Sequence, residues 1–78
     1  MKPLVTEKAI MKIETENTLT FRFETIKTKK DIKKDVEELL NVKVKKIRTF
    51  IKDNRKIAYV QLKKEFVAMD VATKLGLI

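Results

Sequence analysis

Apolar residues along this chain switch repeatedly between the helical period of 3.6 and the strand period of 2, and those switches fix the order of its elements. Ala9, Ile10 and Ile13 recur at helical spacing. Leu19, Phe21 and Phe23 then fall on alternate positions, with Thr18, Thr20, Arg22 and Glu24 between them. Such alternation marks a strand buried on one face, over residues 18–25. Ile32, Val36, Leu39 and Leu40 stand at i, i+4, i+7 and i+8, which lays one apolar stripe along a helix from about 29 to 40. Period 2 returns over residues 43–52, where Ile47, Thr49 and Ile51 alternate with Arg48, Phe50 and Lys52, and over 56–63, where Ala58, Val60 and Leu62 alternate with Ile57, Tyr59 and Gln61. Ala68, Val71, Ala72 and Leu75 close the chain at helical spacing, in an element that Phe66 opens.

Local signals set the boundaries. Thr6 is an N-cap and Glu7 a first-turn acid, so a short helix spans 7–15 and stops at Asn17. Thr28 and Asp31 have the spacing of a capping box, with Asp in place of the usual Glu or Gln. Asn41 suits the left-handed C-terminal position of that helix. On its outer face Lys33 lies four residues before Glu37 and Lys34 four before Glu38, in the weaker orientation for such pairs. Apolar parity slips between Val44 and Ile47, which implies a bulge near Lys45. Asp53-Asn54-Arg55 is a tight turn, so 43–52 and 56–63 form a hairpin. Gly76 is a C′ cap for the last helix.

The expected fold is α+β, in the order α-β-α-β-β-α: a small, mainly antiparallel three-stranded sheet covered by helices. If the helix at 29–40 is a crossover, the strands at 18–25 and 43–52 are parallel neighbours instead. With 78 residues, one proline and one glycine, both near the ends, nothing divides the chain, and residues 1–78 read as a single domain.

Composition narrows the chemistry. The chain has no cysteine, histidine or serine, so disulfides, thiolate and serine nucleophiles and the usual zinc sites are excluded. No apolar run approaches the roughly 20 residues that span a bilayer, and the N-terminus lacks the apolar core of a secretory signal, so direct membrane insertion is not expected. The net charge of +8 is unevenly placed. Residues 1–26 hold four basic and four acidic side chains, residues 27–56 twelve and five, and residues 57–78 three and two. Seven of the eight net charges therefore lie in the middle segment, a concentrated footprint for a polyanion such as nucleic acid. The start of the helix at 29–40 adds free backbone N–H groups to Lys27, Lys29 and Lys30, and its charge there reads as unbalanced. Phe21 and Phe23 read as core, the alternative being a platform on which bases stack.

These residues resemble the large-subunit ribosomal protein family numbered twenty-three, which lines the exit of the peptide tunnel. Pro3-Leu4-Val5-Thr6-Glu7-Lys8-Ala9 is similar to the family's opening, and Thr28-Lys29-Lys30-Asp31-Ile32-Lys33 to the start of its second helix. Val42, Val44 and Lys46-Ile47-Arg48-Thr49 resemble its Val-x-Val-x-x-Val-Asn-Thr strand. Ala58-Tyr59-Val60-x-Leu62 resembles its Lys-Ala-Tyr-Val-x-Leu strand, and Ala68, Val71, Ala72, Leu75 and Gly76 its closing helix. Arg48 departs from the family's asparagine and Ile57 from its lysine. The hairpin turn is short, which resembles the archaeal and eukaryotic type and a complete compact domain without the long loop of bacterial members.

The resemblance implies a cytoplasmic, ribosome-bound structural constituent of the large subunit. It would bind ribosomal RNA beside neighbouring ribosomal proteins and offer a docking surface to signal recognition particle and the protein-conducting channel, with no cofactor, catalytic residue, metal or homo-oligomer. The RNA contacts it implies are Lys27, Lys29, Lys30, Lys33, Lys45, Lys46, Arg48, Thr49, Lys52, Arg55 and Lys56, with Glu7 facing protein factors. Lysine contacts to phosphate predict binding that weakens steeply with salt, and recognition of RNA shape more than base edges. The rival reading is a free regulatory module like an RNA-recognition motif. That motif needs a glycine-containing aromatic strand, and the one glycine here, Gly76, lies outside any strand. For an enzyme the best acid is Asp70, beside the apolar stripe of the last helix, where solvation is its expected role.

Overall fold

The computed structural model describes residues 2–77. The elements run β1 (Lys2–Pro3), α1 (Glu7–Glu16), β2 (Thr18–Phe23), α2 (Lys29–Leu40), β3 (Val44–Lys52), β4 (Arg55–Leu62) and α3 (Ala68–Lys74). The four strands form one antiparallel sheet in the order β1-β2-β4-β3. The architecture is α+β as expected, but the sheet has four strands rather than three. The strand the sequence did not suggest is β1, which pairs Lys2 with Arg22 and Pro3 with Phe21. It is two residues long, too short for any alternation, and its pairing is extended by the Leu4 N–H, which donates to the Thr20 carbonyl at 2.9 Å. Pro3 has no N–H to give, which restricts it to an edge strand such as this one.

The parallel-neighbour alternative is excluded, because β4 lies between β2 and β3 and pairs antiparallel with both. Helix α2 thus crosses from β2 over one strand position to β3. Register assigns the two faces of the sheet. Leu19, Phe21 and Phe23 of β2 lie opposite Val60, Ala58 and Lys56 of β4, and Ile47, Thr49 and Ile51 of β3 lie opposite the same three residues. This first face packs on the helices: Ile13, Leu19, Phe21, Phe23, Ile32, Val36, Val60, Leu62, Ala68 and Ala72 belong to one buried cluster. Phe21 and Phe23 meet edge to face, with centroids 6.3 Å apart. They fill the core and cannot serve as a base-stacking platform.

The cap signals hold. Thr6 Oγ1 accepts from the Ala9 N–H at 3.1 Å. Thr28 and Asp31 close the capping box from both sides, each bond 3.2 Å long. Asn17 and Asn41 end their helices with φ of 53° each. The ladder slips between Val44 and Lys46, so Lys45 is the bulged residue. Asp53 and Asn54 both have positive φ, as a two-residue hairpin turn matched to sheet twist requires. The Gly76 N–H donates to the Thr73 carbonyl and the Leu77 N–H to the Ala72 carbonyl, the paired bonds of a Schellman ending, with Leu77 packed on the core.

Four local expectations are corrected. Helix α3 begins at Ala68, two residues later than Phe66, which sits in the preceding turn. Leu39 lies on the expected stripe of α2 but is 67% exposed, on an open groove between the end of α2 and α3. Strand β2 ends at Phe23, and the chain turns over Thr25 and Ile26, where the Lys27 N–H donates back to the Glu24 carbonyl. Its burial is also two-sided, since Thr18 and Thr20 are buried as well as the apolar residues. The last turns of α1 reach the second face of the sheet there: the Thr18 hydroxyl and the Gln61 amide both donate to the Glu16 carbonyl. Thr20 Oγ1 is buried with no partner. Among the described residues no helix is long and apolar enough to cross a membrane.

Candidate nucleic-acid interface

Basic side chains collect in three places, each set by a different element. The first lies between α2 and β3. Lys29, Lys30 and Lys33 occupy the first two turns of α2, and Lys45 and Lys46 lie at the bulge of β3. Together with Val44 and Ile47 these five lysines line one open cleft, and no acidic side chain lines it. The bulge matters here because it releases Lys45 from the ladder, and Lys46 resumes pairing opposite Gln61. Like charges this close repel, and that repulsion is relieved by an anion seated among them.

The capping box adds to the same end of α2. The Thr28 backbone N–H and hydroxyl group hold the Asp31 carboxyl below its ordinary value of 3.8. Asp31 thus stays ionised and is turned toward Thr28, with its Oδ2 accepting from the Thr28 N–H at 3.2 Å.

Lys27 stands apart, which corrects the expectation of unbalanced charge at this end. Its ammonium donates to Asp35 Oδ2 at 2.9 Å, and this bond, with the attraction behind it, raises the Lys27 pKa above its ordinary 10.5. The turn over Thr25 and Ile26 lays the side chain along α2, so a carboxylate eight residues later comes within reach. Lys56 Nζ donates to the Lys27 carbonyl. The pairs expected on the outer face of α2, Lys33 with Glu37 and Lys34 with Glu38, are not among the ion pairs of the described residues. Glu37 instead accepts from the Val44 N–H at 2.9 Å and so ties the end of α2 to the start of β3.

The second basic region is the second face of the sheet. Lys46, Arg48, Phe50 and Lys52 of β3 lie opposite Gln61, Tyr59, Ile57 and Arg55 of β4. The Phe50 and Tyr59 rings are 5.4 Å apart and tilted by 39°. Lys12 of α1 lies 4.8 Å from the Tyr59 ring centre and Arg48 5.9 Å. Glu16 accepts from Lys12 at 3.2 Å and pairs with Arg48 at 3.5 Å. The third region is the hairpin end, where Arg55 joins Lys2 and Arg22 in a shallow cleft together with Phe23 and Glu24.

Two comparisons with known proteins bear on this arrangement. The sequence profile of ribosomal protein L23 matches residues 1–71. The chain belongs to the ribosomal protein L23 family. The large ribosomal subunit protein uL23 of Trypanosoma brucei brucei is 44% identical over 77 residues, which is 97% of this chain and 47% of the relative. The chain therefore spans about half the length of that curated relative.

Within this member of the L23 family, Lys29, Lys30, Lys33, Lys45 and Lys46 share the cleft, and Lys46 also borders the second face beside Arg48. Thr49 lies on the helix-covered face opposite Ala58, half-buried and away from Arg48. Lys52 and Arg55 pair across the hairpin end, and Lys56 is directed to Lys27. Glu7 is an exposed first-turn residue of α1. Sequence reasoning missed the aromatic pair of exposed Phe50 and half-buried Tyr59. Its signal was available, since Phe50 and Tyr59 both fall on the parity opposite the core residues of their strands.

Proposed function

We propose that this chain is a structural constituent of the large ribosomal subunit, a ribosomal RNA-binding domain placed at the peptide exit tunnel. The observation that carries this reading is the cleft of five lysines with no acid among its lining residues, in a chain of the L23 family. Phosphates of a structured RNA seat between the start of α2 and the bulge of β3, where ammonium groups and backbone N–H groups meet. Arg48, Lys52 and Arg55 extend the contact along β3 and the hairpin. Catalysis has no part in this role. The relative's name, a large ribosomal subunit protein, supports assembly into a large subunit beside neighbouring ribosomal proteins. Exposed Glu7, away from the basic cleft, faces protein factors such as signal recognition particle or the protein-conducting channel.

Binding of the chain to large-subunit RNA at graded salt tests this reading. Replacing Lys29, Lys30 and Lys45 together by glutamate is expected to abolish incorporation into large subunits and to reduce the slope of log affinity against log salt by about 2–3. An unchanged slope and normal incorporation, with an unchanged circular dichroism spectrum, refutes it.

A further inference from the structure

We infer that the second face of the sheet takes an unpaired RNA nucleotide, its base stacked on Phe50 beside Tyr59 and its phosphates held by Lys46 and Arg48. This deepens the proposed RNA-binding role, which by itself needs only phosphates. The face has a built apolar floor. Ile57 is buried there between Phe50 and Arg22 in register, outside the core cluster on the other side. Phe50, 41% exposed, lies over that floor beside Tyr59. No helix covers Phe50; α1 reaches only the far end, at Thr18, Tyr59, Gln61 and Arg48.

Charge selects the occupant. Arg48, Lys52 and Arg55 border the apolar floor with Lys46 beyond Arg48; of the acids near it, Glu16 is held by Lys12 and Arg48, and Glu24 shares a cleft with Lys2, Arg22 and Arg55. An exposed Phe50 ring beside half-buried Tyr59, bordered by cations, suits a base with its phosphate better than an apolar protein surface. Paired bases keep their faces stacked inside the duplex, so only an unpaired nucleotide can use the rings. The cleft beside the pair adds Gln61, a half-buried polar group facing the same side as Arg48 and Tyr59.

Tyr59 is the one tyrosine of the chain and there is no tryptophan, so its fluorescence reports this face directly. The probes are a single-stranded oligoadenylate of about twelve nucleotides and an RNA duplex of equal phosphate count. The single strand is expected to quench Tyr59 and the duplex to leave it nearly unchanged. Phe50→Ala and the apolar, fold-preserving Phe50→Leu are both expected to weaken the single strand about tenfold, with duplex affinity within about twofold. Equal quenching by both probes overturns the inference. So does single-strand binding that survives both substitutions, or binding of both probes lost in parallel while the circular dichroism spectrum is unchanged. If the unaltered chain binds neither probe, the RNA-binding reading fails as well; if it binds the duplex alone, only the stacking site fails.

Discussion

Asn17 is a single residue on which two helices depend, and its replacement gives a graded test of the fold. It ends α1 with φ 53° and ψ 38°. Its side chain also reaches the start of α3, where Oδ1 accepts from the Ala68 N–H at 2.7 Å and Nδ2 donates to the Phe66 carbonyl at 2.8 Å. A longer contact of 3.4 Å runs from Nδ2 to the Leu62 carbonyl. Helix α3 has no side-chain cap of its own, because its N-cap is Val67. Asn17 therefore serves as a cap from 51 residues away. Asn17→Gly keeps the left-handed backbone accessible and removes the two short bonds, each contributing about 1 kcal/mol net. The expected loss is about 2 kcal/mol. Asn17→Ala adds the left-handed penalty of about 1 kcal/mol, for about 3 kcal/mol in all. Asn17→Asp keeps the acceptor for Ala68 but sets a carboxylate oxygen against the Phe66 carbonyl, so it does not rescue. A domain of this size holds only about 4–12 kcal/mol of stability, so these differences are large fractions of the total. Urea unfolding followed by far-ultraviolet circular dichroism measures them. If Asn17→Gly lies within about 0.5 kcal/mol of the unaltered chain, the remote cap is not a stabilising contact. If Asn17→Ala is no worse than Asn17→Gly, the backbone argument fails.

Other substitutions probe separate contacts. Thr20→Val removes a buried hydroxyl that has no partner and keeps the strand-favouring shape, so urea unfolding is expected to show unchanged or higher stability, by up to about 1 kcal/mol. Gly76→Ala places a side chain at φ 75° with open space around it, so strain alone costs about 1 kcal/mol, read as a lower melting temperature. Asp31 has a folded-state pKa below its unfolded value, so its contribution is present above pH 4 and is lost as pH falls through the folded value; acid titration by circular dichroism is expected to show Asp31→Asn with a smaller loss over that window. Glu7→Ala is expected to leave RNA affinity intact and to weaken factor docking on purified ribosomes, and unaltered docking would reduce Glu7 to a first-turn acid on α1.

The features legible in the sequence are those decided within about one turn or one strand pair. Thr28 with Asp31, Asn41, the slip at Lys45 and the Asp53-Asn54 turn each act on groups a few residues away, and each is found as read. The start of α3 was misplaced because its cap is Asn17, whose own position reads only as a helix end. Strand β1 was missed because two residues carry no period and its partner is β2, beyond a whole helix. Glu37 accepts from the Val44 N–H in place of the expected pairing with Lys33, and Lys27 finds Asp35, for the same reason: a turn brings in a partner that the helix face does not record. The lysine cleft was half legible. The charge concentration over residues 27–56 marks its members, but their convergence depends on α2 crossing β4 to reach β3, which no local pattern records.

That crossing also explains why the basic residues stand where they do. It leaves β3 as the outer strand of the sheet, nine residues long and exposed over most of its length, with Ile51 64% exposed. A long exposed edge of this kind invites pairing with another chain. Lysines at 45, 46 and 52 and the bulge at Lys45 oppose such pairing, since a second copy would bring like charge against like charge. Lys45 and Lys46 border the α2 cleft, and Lys46 and Lys52 lie along the second face. On the proposed reading, the residues that keep the free edge from self-pairing are those that RNA phosphates neutralise. The edge is then charged and unpaired in the free chain, and neutralised and covered in the complex. Replacing Lys45, Lys46 and Lys52 by neutral residues therefore acts twice, weakening RNA binding and raising the tendency of the free chain to associate. A phosphate-binding role alone predicts the first effect without the second.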